Sequence, residues 1–246
     1  MNTKIFSLLH KNLQIAFNLP KYAKITLDRD TVIEQLPWTP ARWRKFREQV
    51  EGTLQLTSGW SGTLAEIVED FDTRYLRRFF SEIWQPRTDD YKFSGWQLVE
   101  QIQRQGARRV LDVGCGYHPF RNRIPGIIGI DPYNDAADYM IDILDFNQHP
   151  GAWDAILCLG SINFNDIEEI EMRFAHCTRL LAPGGRMYFR ANPGIQWKNG
   201  PWVEIFAWSF DVAADLASKY NLNLESFKQE NTVPGRLFFE FSKPLD

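Results

Sequence analysis

Several absences bound what this chain can be. It has no uninterrupted apolar run of about 18 residues, the length a membrane-spanning helix needs, and its mean hydropathy is −0.36. No charge sign dominates: 28 Lys and Arg stand against 31 Asp and Glu, a net charge of −3. That balance excludes a generic polyanion binder and does not support a nucleic-acid partner. Cysteine is scarce. Cys115, Cys158 and Cys177 are odd in number and lack paired spacing, so they form no disulfide framework, and no Cys/His cluster has zinc spacing. No metal is expected. With 16 Gly and 13 Pro, the chain is neither collagen-like nor of low complexity. Residues 5–19 are moderately apolar, but His10, Lys11, Asn12 and Asn18 interrupt any signal-peptide core. Three reduced cysteines and no such core make the cytoplasm the expected location, with no membrane partner.

What is present is ample material for a core. Of 246 residues 44% are hydrophobic, and 14% are aromatic, including nine Trp. A chain this long folds without disulfides. Its two parts read differently. Residues 1–93 carry mainly helical signals and are expected to form a helical extension or cap. Thr39-Pro40 fits a helix start, with Thr as N-cap and Pro first inside. Leu64, Ile67, Phe71, Tyr75, Leu76, Phe79 and Ile83 recur three to four apart, as on a helix. Arg42, Arg44, Lys45 and Arg47 interleave with Trp43 and Phe46. That run reads as a solvated helix face with one apolar stripe, or as a nucleic-acid patch.

Residues 94–246 alternate helix and strand. Strands are expected at 108–113, 126–131, 137–142, 153–160, 186–191, 223–229 and 236–242, with 137–142 the weakest. Helices are expected at 96–105, 166–181 and 211–220, and Pro183-Gly184-Gly185 reads as a turn. Alternation of this kind implies a mostly parallel sheet with helices on both faces. The link between the last two strands, 231–235, is too short for a parallel crossover, so that pair is antiparallel.

The chemistry concentrates at 110–120, VLDVGCGYHPF. A strand runs into Gly114-Cys115-Gly116, and glycine there lets backbone approach a ligand closely and take positive φ. Asp131 closes the next strand, 17 residues after Gly114. A carboxylate there can accept two hydrogen bonds from a ribose diol. A nucleoside-containing ligand follows. A nicotinamide dinucleotide is disfavoured, because its fingerprint needs a helix-packing glycine where this chain has Pro119.

Asp112, the Gly-Cys-Gly turn, Asp131, Asp154 and Leu180-Leu181-Ala182-Pro183-Gly184-Gly185 together resemble the class I S-adenosylmethionine-dependent methyltransferases. The resemblance covers about 94–246. It implies an α/β, Rossmann-like, seven-stranded and mostly parallel sheet with an antiparallel last strand, S-adenosylmethionine as cofactor, and methyl transfer by in-line displacement. It implies that Asp112, Gly114, Cys115 and Gly116 line the methionine end, and that Asp131 holds the ribose. Pro132 and Tyr133 would flank the adenine, which Asp142 and Ile143 contact, and Leu159, Gly160 and Ser161 would lie under the methionine. CLGSINF with LLAPGGRMYFRANPG also resembles uncharacterised methyltransferase-like proteins of tailed phages, a likeness that names no substrate. The chain departs from the family where its third glycine becomes His118, which reads as a cofactor contact, a base, or a loop residue with its ring at the surface. The short spacing from Gly116 to Asp131 leaves room only for a stunted helix.

The acceptor is not named by the sequence. After the fourth strand the chain reads Gly160-Ser161-Ile162-Asn163, not the Asn- or Asp-Pro-Pro-Tyr of amino methyltransferases acting on bases, and no Pro-Cys nucleophile occurs. Asn163 or Ser161 can orient an acceptor, and Asn163 can equally cap the next helix. The aromatic linker 191–209 offers Asn192, Trp197, Lys198, Trp202 and Glu204 as acceptor contacts. Alternatively, Trp202, Phe206 and Trp208 only pack that linker onto the N-terminal helices. The competing reading of the whole chain is a catalytically degenerate methyltransferase fold that serves as a binding or assembly module.

Overall fold

The computed structural model describes residues 3–23, 42, 45–50, 73–74, 76–77, 80, 95–191, 205–229 and 235–245. They fall in two compact units, one within Met1–Phe79 and the other within Phe80–Gln196 and Glu204–Asp246. In the first, α1 spans Thr3–Ala16 and buries Leu9, Leu13 and Ala16, one stripe at helical spacing. Residues 45–50 are also helical and bury Phe46 and Val50. Thr39-Pro40 and most of the 64–83 stripe lie outside the described residues.

The second unit is built on a six-stranded sheet. Its strands are β1 (Val110–Val113), β2 (Ile127–Ile130), β3 (Trp153–Leu159), β4 (Leu181–Ala191), β5 (Asn223–Gln229) and β6 (Leu237–Ser242). Their spatial order is β2-β1-β3-β4-β6-β5. β1 to β4 pair in parallel, and β6 runs antiparallel to both β4 and β5. The antiparallel final pair is as the short link requires.

The seventh strand is not formed. At 137–142 only Tyr139 pairs, in an isolated parallel bridge with Ile130. The physical reason is local. Asp138 turns inward to the backbone of Gly129, its Oδ2 accepting the Gly129 N–H at 2.8 Å, and this breaks the ladder after one rung. The turn expected at Pro183-Gly184-Gly185 is instead a bulge inside β4, where the register to β3 slips between Trp153 and Ala155. A bulge adds backbone to one strand without ending it.

Helices cover both faces. α2 (Trp96–Arg104) places Leu98 and Ile102 on Val110, Leu157 and Tyr188. On the other face, α3 (Ile167–Leu180) and α4 (Phe210–Lys219) pack Ile170, Phe174, Cys177, Ala213 and Leu216 against Leu111, Ile156, Phe189 and Phe239. α3 starts where Asp166 Oδ1 accepts the Glu169 N–H at 3.0 Å, and α4 where Ser209 Oγ accepts that of Val212 at 3.2 Å. Each cap satisfies a donor the helix leaves orphaned. No described helix is long and apolar enough to cross a membrane.

Trp208 packs on the sheet core, 4.9 Å from Phe239 and 5.6 Å from Phe189 between ring centroids. Its indole N–H donates to the Ile162 carbonyl at 3.0 Å. This ties the chain at 205–208 to the end of β3, where Phe164 and Ile205 form a bridge.

Candidate functional site

The site forms at the carboxyl ends of β1, β2 and β3. Leaving β1, the chain turns sharply, with Gly114 at φ 68° and Gly116 at φ 54°. The N–H groups of Gly114 and Cys115 both donate to the Ile130 carbonyl, at 2.8 and 3.1 Å, so the turn is stitched to β2. Asp131 completes the stitch. Its Oδ2 accepts the Gly116 N–H at 3.0 Å, and its Oδ1 accepts those of Tyr133 and Asn134 at 2.8 and 3.0 Å. A carboxylate has about four acceptor directions. Three are taken by backbone, so one remains for a ribose hydroxyl where the sequence suggested two.

Asp112 contrasts with it. It is buried between Gly129 of β2 and Leu157 of β3, yet no hydrogen bond to its carboxyl occurs among the described residues. Burial, with Asp131 beside it, pushes its carboxyl up to about 7. Burial likewise raises the Cys115 and Cys158 thiols above their ordinary range, with Asp112 adding to the effect. All three cysteines are free and buried.

The departure at His118 has a structural reading. The residue sits at φ 53°, the left-handed region that the family's glycine would favour. Its ring is buried rather than at the surface. A Cβ added to Gly129 would fall 1.8 Å from the ring and 2.8 Å from Cys115 Sγ. The glycine in β2 thus provides the space that His118 fills. Nε2 lies 3.4 Å from Asp138 Oδ2, and Arg121 holds Asp138 Oδ1 at 2.5 Å. Burial lowers the His118 pKa, opposed by Asp138. The stunted helix is absent among the described residues, since 115–126 is a series of turns.

At the end of β3, Leu159 packs with the α2 side of the core and Cys158 with the other side. Gly160 follows at φ 111°, with no described residue within 4 Å of where its Cβ would stand. Ser161 then meets the first turn: a Cβ on Gly114 would lie 2.4 Å from Ser161 Cβ. The Ser161 hydroxyl is buried without a hydrogen-bond partner among the described residues, as is Asn134 Nδ2. Asn163 is buried, and its backbone carbonyl accepts the Phe206 N–H at 2.9 Å. It does not cap α3, because Asp166 does.

Tyr133, half-buried beside half-buried Pro132, stacks on Phe80 at 5.1 Å and 20°. Phe80 meets Phe164 edge-on at 5.2 Å. Residues 80, 133 and 164 therefore share one aromatic cluster near the ends of β2 and β3. Asp142 caps a 3₁₀ turn (Ile143–Asp145) through Leu144 N–H at 2.9 Å and pairs with Arg173 at 3.3 Å. Ile143 is buried in the core. Asn192, Trp197, Lys198, Trp202 and Glu204 lie outside the described residues. Sequence reasoning missed Asn134, Asp138 and Phe80. An Asp-x-x-Asn turn pattern signals Asn134, whereas only tertiary structure brings Phe80 here.

These features fit a polar nucleoside ligand. Orphaned buried polar groups are costly unless something pairs with them, about 1–3 kcal/mol each. Ser161 Oγ and Asn134 Nδ2 are such groups beside an open glycine and a close-approach turn.

No protein-family model and no curated protein matches the chain. Solved structures do. An N1-methyltransferase of Burkholderia thailandensis, crystallised with 1,6-didemethyltoxoflavin and S-adenosylhomocysteine, aligns with TM-score 0.53 and 13% identity over 69% of this chain and 87% of its own. An N-methyltransferase of Bradyrhizobium japonicum, in complex with S-adenosylhomocysteine, aligns with TM-score 0.53 and 17% identity over 70% and 98%. A magnesium protoporphyrin IX methyltransferase of Synechocystis, with S-adenosylmethionine bound, aligns with TM-score 0.50 and 13% identity over 70% and 97%. The chain has the fold of the class I S-adenosylmethionine-dependent methyltransferases. At these identities the likeness defines the fold, and the first and third neighbours are named for different acceptors.

Proposed function

We propose that the protein is an S-adenosylmethionine-dependent methyltransferase. The observation that carries this reading is the convergence, in this fold, of four features on the ends of β1 to β3: Ser161 Oγ, Asn134 Nδ2 and the Asp112 carboxyl, which have no hydrogen-bond partner among the described residues, and Gly160, which no described residue crowds. S-adenosylmethionine supplies a methyl group already activated on a sulfonium. Asp112, the Gly114–Gly116 turn, Ser161 and Gly160 receive the methionine end, and Asp131 and Asn134 the ribose. Tyr133 packs the adenine, with Asp142 at its edge. Catalysis is then mainly positional, since holding an acceptor in line with the methyl can contribute about 7–11 kcal/mol. The acceptor contacts fall to Asn163, Phe164 and the 192–204 linker, with Asn192, Trp197, Lys198 and Trp202 as its candidates. Three buried thiols suit a cytoplasmic setting.

Calorimetry with S-adenosylmethionine and S-adenosylhomocysteine tests the reading. Micromolar binding that Asp131→Ala weakens at least tenfold is expected. No binding below about millimolar concentration, the same for both proteins, overturns it. A second reading, a binding module on the same fold, is favoured by the burial of Asn163 to 1% exposure, which withdraws its amide from an acceptor. Tight cofactor binding with no turnover across acceptor classes supports it.

A further inference from the structure

Two buried carboxyls stand at the ends of adjacent strands and are solvated differently. Burial raises the Asp131 carboxyl too, but it accepts three backbone N–H groups, which oppose that rise and favour its anion. Asp112 accepts none among the described residues. Among the described residues, the groups around Asp112 offer no compensation. From β2 comes the Asp131 charge, and from the turn and β3 come the thiols of Cys115 and Cys158, which burial keeps protonated. The His118 ring, over Gly129, pairs with Asp138, which Arg121 in turn engages. The charged groups of α2, Glu100 and Arg104, are exposed and engage each other. An anion at Asp112 would be buried, without a hydrogen bond from any described residue and next to another carboxyl, so in the free protein the proton of the pair belongs to Asp112.

We propose that Asp112 reads the charge of the ligand: it is a neutral acid in the free protein and gives its proton to solvent when the cationic amino-acid end of the nucleoside enters the site. The balance is simple. The O–H bond of Asp112 breaks, the proton goes to buffer, and the carboxylate left behind is neutralised by the ligand cation. Asp112 is thereby a specificity-determining residue. It favours a nucleoside with a positive end over the same nucleoside without one, at a cost that grows as pH falls. The inference rests on the reading that the ligand is S-adenosylmethionine.

The test is the number of protons released on binding, from calorimetry of the full chain at pH 6 in buffers of different ionisation enthalpy. For S-adenosylmethionine, release of the larger part of one proton per site is expected at pH 6, falling as pH rises through 7 and giving way to net uptake by pH 8.5, where the ligand's own amino group has to regain its proton to bind as a cation. Asp112→Asn should remove the release, and adenosine should bind without any. Binding of S-adenosylmethionine with no buffer dependence overturns the proposal and leaves the methyltransferase reading standing. So does a release that survives in Asp112→Asn. Absence of binding altogether overturns both. The wild-type buffer dependence needs no variant, so a poorly folding Asp112→Asn does not weaken the test.

Discussion

A single carboxyl carries the clearest pH signature. Asp112 is raised from 3.8 to about 7 in the folded state by burial and by Asp131. A raised acid contributes its full stability below its unfolded pKa, and that contribution is lost as pH rises through the folded value. The window is therefore pH 4 to 7. Asp112→Asn has no charge to bury. Relative to wild type it should gain stability across this window, by up to about 4 kcal/mol above pH 7, with the difference flat below pH 4. Urea unfolding of both proteins at pH 4, 5.5, 7 and 8.5 measures this, and a constant difference would contradict the assignment. The motif Asp-x-Gly-x-Gly was legible in the sequence. The protonation of its acid was not, because burial and the missing hydrogen bonds depend on how β1, β2 and β3 are placed together.

At the scale of elements, the first crossover explains the departures from the family pattern. Between β1 and β2 the stunted helix does not form, and the chain is held by turns, by Asp131 and by the His118 ring. The ring lies where a side chain of β2 would be, so Gly129 and His118 are one packing unit. Gly129→Ala should cost about 1–3 kcal/mol, as overpacking does. His118→Gly in the same chain should recover most of that, since glycine accepts the φ of 53° and vacates the space. A double-mutant cycle by urea unfolding reads the coupling, and additive losses would refute the pairing. Strands and helices longer than one turn were legible from periodicity. The lost strand at 137–142 was not, because its fate turns on one side chain, Asp138, choosing the backbone of Gly129.

For the molecule as a whole, the sequence offered Trp208 as packing of the aromatic linker onto the N-terminal helices. Trp208 departs from that expectation. It joins the chain after the 192–204 linker to the sheet core, through Phe189, Phe239 and the Ile162 carbonyl. Trp208→Ala should lose about 3–5 kcal/mol from the cavity alone. It should also loosen Asn163 and Phe164, which the Phe206 N–H and the 164–205 bridge hold in register. Trp208→Phe keeps one aromatic ring but loses the rest of the indole and its hydrogen bond, so its cost should lie between those of the wild type and Trp208→Ala, about 1–3 kcal/mol. Thermal unfolding separates the two, and equal losses would show that the retained ring contributes nothing.

By itself the sequence determined the alternation of strand and helix, the antiparallel end of the sheet and the glycine turn closed by an acid. Each of these depends on short-range periodicity, link length or backbone freedom, which are written in neighbouring residues. Tertiary structure alone decided which acid keeps its proton, why a histidine can stand where a glycine was expected, and that Phe80, Tyr133 and Phe164 meet. Those outcomes depend on burial and on contacts between residues dozens of positions apart, which local sequence does not encode.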